Sequence, residues 1–388
     1  MYNLEQIFSV RNERCRYKKH KVITLLGLKL KFKVETKFKT DFFNREISPN
    51  TILLVEPNYV CHRETLPGVT KYLLDLGYNV DILLSDFEDN SLCNYPYDVK
   101  IFKYTREQVA SLMRNPKLSK YERVIFNSKV VYLNSKDWLD IHEYFDDLKS
   151  GKKQNIYVQH HIDRINEIPE DKQIILANPA QIEEYESIVV NPHYFGNVKI
   201  TDLNRPRIKF CIIGALENKR KNVDLLFNSI RTLESSGVDN YEILIAGRFQ
   251  EKLENLEPVF QEHIVLKGRL NFAEMYQVLE ESDYFIPLLD PDNPEHDRYI
   301  KDGTSGGFQL VYGFLKPCII QEKFAKVYNF NDTNSIVYAK NEDLGSAMKK
   351  AINLNSNEYK ILQNNLLKMQ KEIYSKSLKN FDKILRGK

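Results

Sequence analysis

The sequence predicts an α/β protein: two facing, Rossmann-like doubly wound domains behind a small basic β segment. Three observations carry this. From Ile52 onward, short buried-type strands alternate with amphipathic helices, the order that builds right-handed parallel units. The alternation stops in the polar stretch NPHYFGNVKITDLNRPR (191–207), whose later part reads as a linker, and then restarts. A chain of 388 residues is also long enough for two separate cores. The boundaries that follow are 1–45 for the basic segment, 46–203 and 204–356 for the two domains, and 357–388 for a C-terminal helix expected to pack back on the first domain.

The basic segment centres on KKHKVITLLGLKLKFK (18–33). From Leu28 its residues alternate strictly, with Leu28, Leu30, Phe32 and Val34 on one side and Lys29, Lys31 and Lys33 on the other, which is strand periodicity. The VITLL run before Gly27 predicts a hairpin or a pair of small strands. Residues 11–39 hold eleven Lys and Arg against Glu13 and Glu35, a balance of +9 in a chain whose total is only +3. Two readings fit: an edge strand whose lysines discourage further pairing, or a basic face held against anionic lipid. No apolar stretch approaches the ~20 residues that span a bilayer, and the first residues carry charges where a signal peptide would be apolar.

In the first domain TILLVEP (51–57) is a buried strand. TLPGVTKYLLDLG follows as a helix, with Thr65 near its cap, Pro67 in its first turn and Gly77 at its end. YNVDILLSD, RVIFNS, NIYVQHH, QIILAN and SIVVNP are further strands, and KDWLDIHEYFDDLK has a helical period. In the second domain, strands IKFCIIGA, YEILIAG, HIVLKG, YFIPLLD and PCIIQ alternate with helices NVDLLFNSIRTLESSG, a stretch reaching Glu262, NFAEMYQVLEES and GGFQLVYGFL. A long helix runs from about Asn357 to Leu385. Five widely spaced cysteines without a CxxC pair read as reduced thiols. The small net charge argues against a nucleic-acid binder.

Chemistry-bearing residues gather after strand ends, where open α/β sheets bind ligands. In 287–320 an acidic, proline-broken loop leads to Gly303, Thr304, Ser305, Gly306 and Gly307, which open a helix. Small residues there let amides approach an anion, and the helix dipole favours it; a plain Ser/Thr cap with glycines for close packing is the other reading. In 214–230 the strand ends at Gly214, and Lys219, Arg220 and Lys221 precede the next helix, where cations oppose the dipole unless an anion such as a diphosphate is bound. No GxxxxGK[ST] occurs. The loop DPDNPEHDRY offers Asp290, Asp292, Glu295, His296, Asp297 and Arg298, a composition that suits a cation, a polar ligand or plain solvation. EPNYVCHRETLPG places His62 and Glu64 ahead of a helix, and YVQHHIDRINE puts His160 and His161 at a strand end.

These motifs resemble the donor-binding domain of GT-B glycosyltransferases, of the retaining family that includes many sucrose-, mannose- and capsule-related transferases. The matching residues are Gly214, Lys221, KGRLNFAEMYQVLEESDYFIPLL, DGTSGG and GFLKPCII, over roughly 205–355; the first half matches only in architecture. The leader is similar to those of bacterial capsule and lipopolysaccharide enzymes. Two positions depart from the family. Ala215 stands where an Arg usually follows the strand-end Gly, a role open to Arg220 or Arg269. The family's two Glu, eight positions apart, fall on Asp302 and Leu310 (beside Gln309), so the ribose contact must differ.

The resemblance implies a metal-independent, cofactor-free glycosyltransferase of the hexosyltransferase type. It would move sugar from a nucleotide diphosphate donor, UDP-type, to a growing capsule or lipopolysaccharide glycan, with the first domain receiving the acceptor. The donor would be held by Gly214, Lys219, Arg220, Lys221, Arg269, Asp302, Gly303, Thr304, Ser305 and Gly306. Glu295 and His296 would meet sugar hydroxyls and Arg298 phosphate. His161 or His160 would contact the transferred sugar, and in an inverting enzyme His62, Glu64 or His161 would be the base. A cytoplasmic enzyme at the inner membrane face, touching anionic lipid through 11–39, follows from the same reading. The alternatives are an epimerase, a polyol-phosphate transferase or a non-catalytic glycan-binding partner subunit.

Overall fold

The computed structural model of the chain describes residues 8–15, 18–33, 42–59, 62–85, 90–92, 99–134, 136–146, 148–149, 155–176, 186–196, 199–203, 205–217, 219–301, 303 and 305–387. The chain forms two compact units: residues 1–63, 73–88 and 98–158, and residues 64–72, 89–97 and 159–388.

The first unit opens with an antiparallel meander of β1 (Phe8–Cys15), β2 (Lys18–Leu25) and β3 (Leu28–Lys33). Leu26 and Gly27 join β2 to β3 with φ of 51° and 80°, the pair of left-handed residues that makes a tight two-residue turn match strand twist. Among the described residues β3 has only β2 beside it and is an edge strand, as one reading of its lysines required. The strand β1 was not anticipated. Val34 lies outside the described residues.

The core of this unit is a parallel sheet around β4 (Thr51–Glu56), every residue of which is buried. A strand covered on both faces reads as a continuous apolar run, which is why TILLVE shows no alternation. Its neighbours are β5 (Asn79–Leu84), followed outward by β6 (Lys100–Lys103), and on the other side β7 (Arg123–Phe126), followed by β10 (Asn155–Gln159). Between β7 and β10 lies an antiparallel pair, β8 (Val130–Tyr132) and β9 (Trp138–Asp140). That pair overturns the helix read from KDWLDIHEYFDDLK. Trp138 and Leu139 pair with Tyr132 and Val131, and among the segment's described residues only Ile141–Tyr144 is helical. Tertiary pairing overrides a helical period when a partner strand lies within a few residues. The helix Arg106–Leu112 was also missed, although Thr105 and Gln108 form a reciprocal capping box.

In the second unit β11 (Gln173–Ile175) is followed by SIVVNP, which is a turn (Glu186–Ile188) with a single bridge from Val189 to Ile175, not a strand. The central sheet is β12 (Ile208–Ile213), β13 (Tyr241–Ala246), β14 (Ile264–Gly268) and β15 (Tyr284–Phe285), ordered β14-β13-β12-β15 and parallel. Its residues alternate between two cores. Ile208, Phe210, Ile212, Tyr241, Ile243 and Ile245 pack with helices Val223–Ser235 and Leu344–Asn353. Cys211, Leu244 and Ala246 pack with helices Phe272–Glu281 and Gly306–Phe314. Both faces are thus dry, which a doubly wound sheet requires. Cys211 and Cys318 are free and buried. A parallel pair, β16 (Ile319–Gln321) and β17 (Ile336–Tyr338), adjoins β15 through a bridge between Phe285 and Cys318.

The helix Ser356–Arg386 starts at an Asn355 capping box and ends at Gly387. Tyr359 donates to the Asp283 carbonyl and Gln363 to that of Leu315, while Asn380 donates to Val189 and Ser377 accepts from the Asn191 amide. No helix of the described residues is long and apolar enough to cross a membrane.

Residues 191–195 thread between two glycines. A Cβ at Gly68 would sit 2.3 Å from Pro192, and one at Gly313 would sit 2.3 Å from the His193 carbonyl and from Phe195. The helix carrying Gly313 cannot retreat, because its flanking residues are buried. Gly313→Ala should therefore lose about 1–3 kcal/mol by overpacking, read from the urea midpoint; an unchanged midpoint would show that the contact is looser than described.

Candidate functional site

In the second unit the sheet order turns over between β12 and β15, the kind of switch point at which open α/β sheets bind ligands beyond the strands' carboxyl ends. Gly214 closes β12 with φ of 100°, and the neighbouring β13 ends so near that a Cβ at Gly247 would lie 1.9 Å from the Gly214 oxygen. Only glycines fit both requirements. Seven residues on, Lys221 donates from Nζ to the Pro287 carbonyl at 3.1 Å. Burial pushes its ammonium pKa down to about 8, and the Arg220 charge adds to the effect.

The segment 285–290 joins the parts together. Phe285 lies beneath the glycine-led helix, where a Cβ at Gly307 would come within 2.8 Å of its ring. The Leu288 carbonyl accepts from the Asn222 amide at 2.9 Å. Asp290 accepts from Asn222 and from Asn341, each at 2.7 Å. The Asp290 amide donates to His296 Nδ1 at 2.9 Å, which places the ring proton on Nε2. Burial pushes the His296 pKa down, and among the described residues the buried Nε2 has no hydrogen-bond partner. Buried donors are rarely left unpaired, and a water or a ligand oxygen would satisfy this one.

The helix Gly306–Phe314 begins at Ser305, whose side chain makes no cap hydrogen bond. Its first turn therefore receives no side-chain acceptor from Ser305. A Cβ at Gly306 would meet Glu64 Oε1 at 3.0 Å, so a carboxylate already stands at this helix start, its pKa raised by burial. His161, following β10, forms an antiparallel bridge with Gly303.

Of the candidates, the second unit thus brings together Gly214, Lys221, His296, Ser305, Gly306, Glu64, Gly303 and His161. Asp302 and Thr304 lie outside the described residues. Lys219 is exposed and 3.9 Å from Glu295, itself exposed. Arg220 pairs with Glu217 at 3.1 Å. Arg298 stacks on Tyr299, and Arg269 is exposed beyond β14. His160 is half-buried beside His161. Leu310 and Gln309 are both in the core. Among the described residues no group of three or more His, Cys, Asp or Glu is placed to share a metal ion.

His62 belongs to the first unit, where it follows β4 with a left-handed φ of 64° and stacks on Tyr132. Non-glycine residues hold such a φ only when their surroundings impose it. The His62 backbone carbonyl is held by Asn127, which is shared with Glu56, a residue the sequence reading passed over. Fully buried at the end of β4, it accepts from the Asn58 amide and Asn127 Nδ2, each at 2.8 Å, and from Ser128 Oγ at 3.0 Å. Asn127 Nδ2 also donates to the His62 carbonyl at 2.9 Å. An acidic residue closing an otherwise apolar strand was the available signal.

No family model and no curated protein matches the sequence. Solved structures do match. AviGT4, a glycosyltransferase involved in avilamycin A biosynthesis, aligns with a TM-score of 0.54 at 11% identity, over 88% of this chain and 99% of its own. WaaG, a glycosyltransferase involved in lipopolysaccharide biosynthesis, aligns at 0.49 and 11%, over 87% of this chain and 100% of its own. HepE (Alr3699) of Anabaena, solved with UDP and glucose, aligns at 0.48 and 9%, over 84% and 97%.

Desolvation pushes the Glu56 pKa up from 4.5 to about 7, so between these values the folded state binds more protons than the unfolded state and stability falls as pH rises. Glu56→Gln should remove that slope, worth up to about 3 kcal/mol across the window, in urea titrations at several pH values; equal slopes would place the carboxyl in water. In fold, the chain is a GT-B protein, built from two Rossmann-like domains.

Proposed function

We propose that the protein is a glycosyltransferase that takes a sugar from a nucleotide diphosphate donor, UDP-type, and passes it to a growing bacterial surface glycan of capsule or lipopolysaccharide type. One observation carries this reading. A half-buried cation, Lys221, and a glycine-led helix start that Ser305 does not cap are tied to the same strand-end segment, 285–290. Together they suit a diphosphate, which needs amide donors and positive charge on adjacent oxygens. The His296 Nε2–H is a ready donor for a sugar or phosphate oxygen.

In the transfer the bond from the anomeric carbon to the diphosphate oxygen breaks, its electron pair leaving with the diphosphate. The acceptor hydroxyl oxygen bonds to that carbon and releases its proton to a base. Lys221 and the amides of Gly306 and Gly307 stabilise the developing charge without a metal, and His161 stands at the reacting sugar. Glu64, displaced from the helix start by the diphosphate, takes that proton in this reading. A lipid-linked acceptor and a cytoplasmic place at the inner membrane face complete the proposal.

The test is binding followed by turnover. Melting temperature is measured with UDP, GDP, CDP and dTDP, and the preferred nucleotide is then supplied as its labelled sugar conjugate with glycan acceptors. The proposal expects stabilisation by one nucleotide diphosphate and label on the acceptor. Stabilisation without transfer, with the donor sugar released or epimerised, would favour a non-transferring enzyme. If no nucleotide diphosphate stabilises the protein, the donor site does not exist.

Because the ammonium pKa of free Lys221 is about 8, a bound diphosphate would raise it and take up a proton. Nucleotide affinity should therefore fall as pH rises through about 8. Lys221→Ala should bind roughly tenfold or more weakly at neutral pH, from loss of a charge-assisted hydrogen bond, and with a flatter pH profile. Calorimetric titration at several pH values gives both; wild-type affinity in the variant would remove Lys221 from the site.

A further inference from the structure

The N-terminal meander has an apolar face that the described residues leave open. In its register Phe8 stands opposite Leu25 and Leu25 opposite Leu28; Val10 stands opposite Ile23 and Ile23 opposite Leu30. Directly opposed residues share a face, so these six, with Phe32, form one continuous apolar patch that ends at the turn. Exposure is 59% at Phe8, 51% at Leu25, 77% at Leu26, 70% at Leu28 and 50% at Phe32. Among the described residues, seven of the eleven exposed large apolar side chains lie in this meander. The opposite face behaves in the ordinary way, with Val22 and Thr24 buried. Clustered exposure of this kind marks a docking surface, whereas scattered apolar residues do not.

Charge selects the occupant. Residues 11–39 carry a balance of +9, which suits an anionic surface. The charges are also placed by depth. Lys21 pairs with Phe32 in the third row of the apolar face, so four residues of strand, roughly 13 Å, separate it from Leu25 at the turn. Lys29 and Lys31 are exposed on the edge strand but stand opposite Thr24 and Val22, on the other face, so their long stems reach the headgroups around the sheet edge. An element that is apolar at its tip and cationic behind it fits the boundary between acyl chains and anionic headgroups, where lysine stems can reach back to the headgroups. The tight turn at Leu26 and Gly27 presents the leucines without a floppy loop to order.

We propose that this meander docks the protein on an anionic lipid bilayer, with the Leu26–Leu28 turn and the apolar face of β1, β2 and β3 entering the interface and the lysines meeting the headgroups. The contact is thus led by the apolar face, with the basic residues as its rim. It does not depend on the transferase reading.

The experiment uses the full chain with vesicles of phosphatidylcholine alone and of phosphatidylcholine mixed with phosphatidylglycerol, read by co-sedimentation. Wild-type protein should bind the anionic vesicles, less so as salt rises. Leu26→Asp with Leu28→Asp should weaken that binding at least tenfold; Asp accepts the left-handed backbone at position 26. Lys29→Gln with Lys31→Gln should weaken it several-fold and reduce its salt dependence. Melting temperature and nucleotide binding, measured on the same samples, should not change, which separates failure here from failure of the donor site. Wild-type protein that ignores anionic vesicles, or leucine variants that bind them undiminished, would overturn the proposal. A dimer that the leucine substitutions convert to monomer without loss of vesicle binding would also overturn it, by making the patch an interface between copies of this chain.

Discussion

The second unit depends on one constraint: 285–290 must leave the sheet beside β12 with its polar backbone groups satisfied. The Ile286 amide is still bonded to Cys211 in the sheet. Beyond it the carbonyls of Pro287 and Leu288 have no strand partner and are met instead by Lys221 Nζ and the Asn222 amide. Leu288 accepts a φ of 53° to make this possible. A buried carbonyl left unpaired would cost about 1–3 kcal/mol, so Lys221 has a structural task as well as a chemical one. The same bond that completes the fold holds a cation at the strand ends.

Both units solve the strand-end problem with buried polar groups. In the second unit Asp290 collects Asn222, Asn341 and the Asp292 amide, while His296 receives the Asp290 amide. In the first unit Glu56 collects Asn58, Asn127 and Ser128, and the fully buried Arg63 donates to the Asn58 carbonyl. Networks of this kind fix loop geometry because each member that moves strands another without a partner. They hold His62 and His296 in place from behind.

Much of the architecture was legible in the sequence because buried parallel strands and amphipathic helices have strong periods. TILLVE, IKFCII and YEILIA could hardly be anything else. The glycines were legible as well, since Gly214 and Gly306 stand where backbone must approach backbone or side chain. What the residues did not reveal was pairing between segments. KDWLDIHEY has a helical period, yet its first half finds β8, and nothing local announces that. The network around Glu56 was invisible for the same reason: its partners lie seventy residues away, at Asn127 and Ser128. The exposed face of the meander shows the reverse case. Alternation correctly predicted a strand, but only the register shows that six apolar residues from three strands make one surface.

The most direct test of the account is a crystal structure of the full chain with UDP. The account predicts the diphosphate against the amides of Gly306 and Gly307 with Lys221 Nζ turned onto a phosphate oxygen. UDP bound elsewhere, with Lys221 still on the Pro287 carbonyl and Glu64 still at the helix start, would contradict it.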